Sequence, residues 1–126
     1  MEQVTILKQD EVVRLNPHRL EQLYSQLGEA GAEDIVCRAL EELSARLSQT
    51  EKCYREGRLA DMRKCARSLV GVADQIGMHL LSRVATDVST CADSRDLVAI
   101  AATLSRLLRV GDLSLSEIWD AQDLSI

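Results

Sequence analysis

Phenylalanine is absent from this chain of 126 residues, and Tyr24, Tyr54 and Trp119 are its only aromatic side chains. Proline occurs once, at Pro17, and glycine six times. Strands draw on aromatic and β-branched residues, whereas Leu, Ala, Glu and Arg, which are plentiful here, favour helices. Few aromatics and few breakers therefore predict an all-α protein. The same scarcity removes the stacking platform on which single-stranded nucleic acid is held. Positive charge is in deficit too: 15 Lys and Arg against 20 Asp and Glu leave a net charge of −5. No bulk field draws such a chain to a phosphate backbone. No apolar run approaches the ~20 residues of a membrane span. Met1 to Asp10 carries charges where a secretory leader needs an apolar centre. These absences predict a cytoplasmic protein with neither a nucleic-acid nor a membrane partner.

What is present suits one globular domain: 46% hydrophobic and 28% charged residues, the ordinary soluble mixture, in a chain long enough to bury a core without staples. Four cysteines, Cys37, Cys53, Cys65 and Cys91, form no CxxC and have no His pair nearby. That spacing does not suit zinc. They are expected as reduced thiols that fill the core as small residues. No motif calls for a cofactor or a metal.

The apolar residues recur at helical spacing along most of the chain. Residues 1–16 mix β-branched residues with charges and read as an N-terminal arm. Asn16-Pro17 is a helix-start signal. It precedes Leu20, Leu23, Tyr24 and Leu27, and Gly28 and Gly31 should end this first helix. A second helix opens near Ala32 and closes at Gly57 as a C-terminal cap. A third runs from about Arg58 to Ile76 and is interrupted by Gly77. A fourth carries Leu80 to Cys91. Asp93-Ser94 offers a cap for a fifth, which Gly111 should end. Ser114-Leu115-Ser116-Glu117 fits a capping box for a last short helix. The expected architecture is an antiparallel four-helix bundle over 17–110, with short terminal helices and a tail at 111–126.

At ~100° per residue, the third helix turns Leu59, Met62, Ala66, Leu69, Ala73 and Ile76 inward. The opposite face carries Lys64, Arg67, Gly71 and Asp74, with Arg63 and Val70 beside it. Gly in the exposed interior of a helix costs up to ~1 kcal/mol relative to Ala. A mere solvated face gains nothing from it, whereas a bare patch lets another molecule's backbone approach closely.

Residues 66–77, Ala-Arg-Ser-Leu-Val-Gly-Val-Ala-Asp-Gln-Ile-Gly, resemble the signature of histidine-containing phosphotransfer (HPt) domains. That signature reads Ala-His-x-Leu-Lys-Gly-x-Ser/Ala-x-x-aliphatic-Gly. Ala66, Leu69, Gly71, Ala73, Ile76 and Gly77 fit it in register, and the helix number and order over 17–110 fit the fold. The resemblance implies that the family's phosphorylated histidine falls at Arg67 and its helping lysine at Val70. An imidazole serves as nucleophile near neutral pH. A guanidinium stays protonated and has no free lone pair. The chain is therefore expected to be a degenerate member without phosphotransfer activity. Neither His79, which a continued helix would place ~120° away from Arg67, nor His18, at the start of the first helix, takes over the role.

The function this implies is non-catalytic binding in two-component signalling. A response-regulator receiver domain would dock on the face made by Arg63, Lys64, Arg67, Val70, Gly71 and Asp74. The alternative is a bundle of this fold reused as a structural, dimerisation or adaptor domain with no receiver partner. The tail poses a separate choice. Leu115, Ile118 and Trp119 either fold back over the open end of the bundle or form a patch through which two copies associate.

Overall fold

In the computed structural model, residues 16–124 are described, with side chains as far as Ile118. Four α-helices account for nearly all of them: α1 (Pro17–Arg55), α2 (Leu59–Gln75), α3 (His79–Ser94) and α4 (Leu97–Leu124). No strand occurs among the described residues. All but Asn16 of the arm expected at 1–16 lies outside them.

Asn16 caps α1 as its position next to Pro17 predicts: its side-chain oxygen accepts from the His18 N–H at 3.0 Å. The break expected at Gly28 is present as a kink, with φ 77° and ψ 173°. Helical geometry resumes at once, so Gly31 lies inside α1 and terminates nothing. Before the kink only Leu23 is buried; after it, Ala32, Val36, Ala39, Leu40, Leu43 and Leu47 line the core face.

The α1–α2 and α2–α3 connections are built alike. At the first, Gly57 adopts φ 73° and the Arg58 N–H reaches back to the Cys53 carbonyl at 2.8 Å. At the second, Gly77 adopts φ 80° and the Met78 N–H reaches the Ala73 carbonyl at 2.8 Å. Both are left-handed glycine stops with a six-to-one hydrogen bond, and at the second the following Met78 side chain is fully buried. Gly77 is needed for space as well as for its φ. A Cβ there would lie 3.0 Å from the Cβ atoms of Asn16 and Arg19. The start of α1 is laid across this turn, with the Asn16 N–H bonded to the Gly77 carbonyl at 3.1 Å and Arg19 Nε to the Gln75 carbonyl at 2.6 Å.

Two boundaries differ from the sequence reading. The cap of α4 is Asp96, not Asp93 or Ser94: Asp96 Oδ1 accepts from the N–H groups of Val98 and Ala99 at 3.1 Å each. Arg95, in the left-handed region at φ 59°, makes the reversal before it. The second difference is larger. Gly111 does not end the last helix, which continues to Leu124 and contains the presumed capping box. The boundary expected between bundle and tail at 110–111 falls inside α4. Gly111 is buried, and a Cβ on it would meet Leu47 Cδ1 at 2.7 Å. It serves close helix approach rather than termination.

Each helix packs on its neighbours in the chain, and α1 also packs on α4, whereas neither diagonal pair makes a backbone approach within 8 Å. The result is a closed four-helix bundle. Its centre holds Leu43, Met62, Leu69, Ile76, Leu81 and Ile100, all fully buried. The cysteines divide otherwise than expected: only Cys53 is buried, Cys65 and Cys91 are half-buried, and Cys37 is exposed.

Candidate functional site

Helix α2 owes its orientation to Met62, Ala66, Leu69 and Ala73, which recur every three or four residues and are all buried. That fixes the opposite side outward. Lys64, Arg67 and Gly71 are exposed there. No hydrogen bond or ion pair with another described residue engages Lys64 or Arg67. A Cβ built on Gly71 meets nothing within 4 Å. Unlike Gly77 and Gly111, Gly71 thus has no steric reason among the described residues, and its backbone is helical.

The other three residues expected in the site are placed differently. Arg63 and Asp74 sit on the edge of α2 that meets α3, and each forms a pair across that seam. Arg63 Nε lies 3.3 Å from Asp93 Oδ1, and Asp74 Oδ1 lies 3.6 Å from His79 Nδ1. These two pairs bracket the Arg67–Gly71 stretch and hold α3 beside it. Val70 is half-buried and packs against the core. It flanks the exposed face, as the helical period predicts.

His79 stands exposed at the first position of α3. A continued helix would have turned it away from Arg67's face. The stop at Gly77 instead starts α3 beside the end of α2, so the imidazole returns to Asp74. Its Nε2 lies 3.2 Å from Asn16 Nδ2, so three elements meet at one edge of the site. The signal in the sequence was Gly77 itself, read as a left-handed stop rather than as an interruption. His18 is exposed, with Nδ1 3.9 Å from Glu21 Oε2.

The face can act as a cationic docking surface. The Arg67 guanidinium offers forked donors and a permanent charge, suited to carboxylates or a phosphoryl group. Lys64 adds a second uncompensated cation, while the negative charge of Asp74 is directed at His79. The bare backbone at Gly71 lets a partner reach within contact of the helix. None of these groups is a nucleophile near neutral pH.

A cleft of about 650 Å³ lies at the opposite end of α2, beside Gly57 and Arg58. Two of its three cations are matched by described residues, and the third, Arg95, is not. Arg58 reaches Glu56 at 2.7 Å and Asp61 at 3.0 Å, and Arg63 reaches Asp93. Arg58 is held above the usual guanidinium range chiefly by the hydrogen bond to Glu56. Among the described residues no group of three or more His, Cys, Asp or Glu is placed to hold a metal. Among the described residues, no helix is long and apolar enough to cross a membrane.

Of the two arrangements open to the tail, Leu115 and Ile118 adopt the one that packs back on the bundle. Ile118 is buried in the core at 2% exposure, and Leu115 is half-buried against it. The Trp119 side chain lies outside the described residues. Ile118 is therefore part of the bundle and is not available to a second copy.

No protein family, curated protein or solved structure matches the chain.

Proposed function

We propose that this chain is a degenerate HPt-like domain, an antiparallel four-helix bundle that binds a response-regulator receiver domain in the cytoplasm without accepting a phosphoryl group. The docking face is the outer side of α2, centred on Arg67 and Gly71 with Lys64 beside them. Arg63, Asp74 and Val70 act one step back, by fixing α2 against α3 and the core. The observation that carries the reading is Gly71. It gives up helix stability at an exposed position where no described residue needs the space a side chain would fill. Arg67 supports it, standing exposed and unengaged by any described residue where the resembling signature has its histidine. Its guanidinium would enter the acidic pocket of a receiver and pair with carboxylates there.

The test is a calorimetric titration of the chain against receiver domains, each free and carrying a phosphate mimic. Saturable binding that weakens at least tenfold with Arg67→Ala supports the reading. An Arg67→His, Val70→Lys double variant that gains a phosphoryl group from a phosphorylated receiver establishes the docking geometry directly. Binding to no receiver sinks the proposal and leaves a bundle of this shape reused as an adaptor. The engagement of Arg63 and Asp74 in intramolecular pairs already favours that second reading for those two residues.

A further inference from the structure

A second surface of the bundle is unlike the first. Where Gly111 brings α4 against Leu47 of α1, two depressions of about 210 and 470 Å³ lie along the same seam. They share Ser44, Ser48 and Leu115, so they form one trough. On the α1 side it runs from Leu40 to Glu51, about 17 Å or three helical turns at 1.5 Å per residue. Its floor is low and mixed, with Leu40, Ala45 and Leu115 beside Ser44 and Ser48. The small residues Ser44, Ala45 and Ser48 leave room above α1, while Leu108 and Leu115 are half-buried along α4.

Its charged lining is of one sign. Among the described residues, Glu41, Glu51 and Asp112 stand along it and no Lys or Arg lines it. Glu51 is 3.6 Å from Arg55 Nε, while Glu41 and Asp112 are exposed. A channel three turns long, partly apolar and acidic at its edges, suits a helix with an apolar stripe flanked by Lys or Arg. A second copy of this chain does not fit. A two-fold pairing through the trough would set its carboxylates against their own counterparts.

We propose that the α1–α4 trough is a docking site for a basic amphipathic helix of another protein, independent of the Arg67 face. The small residues of α1 admit the apolar stripe of the incoming helix, and Leu108 and Leu115 meet it from the α4 side. The carboxylates set its orientation and make the affinity salt-dependent, since exposed charges are screened over ~8 Å at physiological ionic strength.

The probe is a synthetic helical peptide of about four turns, roughly 14 residues, with Leu on one stripe and Lys elsewhere, beside a counterpart with Glu for every Lys. Binding to the full chain is followed by fluorescence anisotropy of the labelled peptides. The Lys peptide is expected to bind saturably and at least tenfold more tightly than the Glu peptide. Ser44→Lys and Leu115→Lys should each weaken it at least tenfold, with thermal melts confirming that the variants stay folded. Glu41→Lys combined with Asp112→Lys should reverse the preference between peptides without filling the trough. Arg67→Ala should leave binding unchanged, which separates this surface from the receiver-docking face. Equal affinity for both peptides, or variants in the trough without effect, overturns the proposal. So does a concentration-dependent dimer that Leu115→Lys abolishes, since the occupant is then a second copy.

Discussion

Gly111 of α4 stands directly over Leu47 of α1: a Cβ at position 111 would fall 2.7 Å from Leu47 Cδ1, 3.0 Å from Cδ2 and 3.4 Å from Cγ. Both methyls of Leu47 must shift to admit it, inside a core where Leu47 is 6% exposed. Gly111→Ala is therefore expected to destabilise the protein by about 1 kcal/mol, because overpacking of ~1–3 kcal/mol outweighs the ~1 kcal/mol gained in helix propensity. Denaturant titration checks it. In a Leu47→Val background the penalty should shrink, and a coupling energy of zero between the two sites would mean the contact is relieved elsewhere.

Gly71 should respond in the opposite sense. Its backbone is helical and the space above it is open. Gly71→Ala is expected to raise stability by about 0.5–1 kcal/mol. The same substitution should weaken receiver docking, because the added methyl stands between the partner and the helix backbone. Gain of stability with loss of binding is a combination that a purely structural glycine does not give.

The last helix is structural beyond Gly111. Ile118 is 2% exposed and Ser114 is fully buried. Ile118→Ala is expected to cost about 2–4 kcal/mol, and ending the chain at Val110 should cost more. At this size each kcal/mol corresponds to roughly 3–6 °C in the midpoint, so thermal melts followed by circular dichroism resolve both. A chain ending at Val110 that melts like the full protein would show that the second half of α4 adds nothing.

Burial pushes the Cys65 thiol above its ordinary range, and the neighbouring Cys53 adds to the shift. The folded protein therefore keeps this proton to higher pH than the unfolded chain does. With the folded value raised, its contribution to stability is whole below the unfolded thiol value of about 8.5. It is lost as pH rises through the folded one. Stability measured against pH should decline on the alkaline side, and decline less in Cys65→Ala. Alkylation of the native protein should reach the exposed Cys37 well before Cys65 or the buried Cys53.

The helices were legible because their cause is local. The three- and four-residue recurrence of Met62, Ala66, Leu69 and Ala73 needs no knowledge of the partner helix to predict that this face is inside and that Lys64, Arg67 and Gly71 are outside. The Asn16 cap and the Gly57 stop were legible for the same reason. Glycine was not legible in general, because one residue type answers three different demands here. Gly57 and Gly77 supply a left-handed turn, Gly111 supplies room for Leu47, and Gly71 supplies neither. Only the first demand leaves a trace in neighbouring residues.

The sequence by itself determined the all-helical class, the inward and outward faces of α2, and the absence of an imidazole at position 67. Each of these depends on residue chemistry and on the helical period alone. The tertiary structure decided what depends on contacts between distant residues. It returned His79 to Asp74, tied Arg63 to Asp93, carried α4 through Gly111 to bury Ile118, and opened the trough between α1 and α4. The spacing of two helices is set by the volumes that meet between them, and no single segment holds that information.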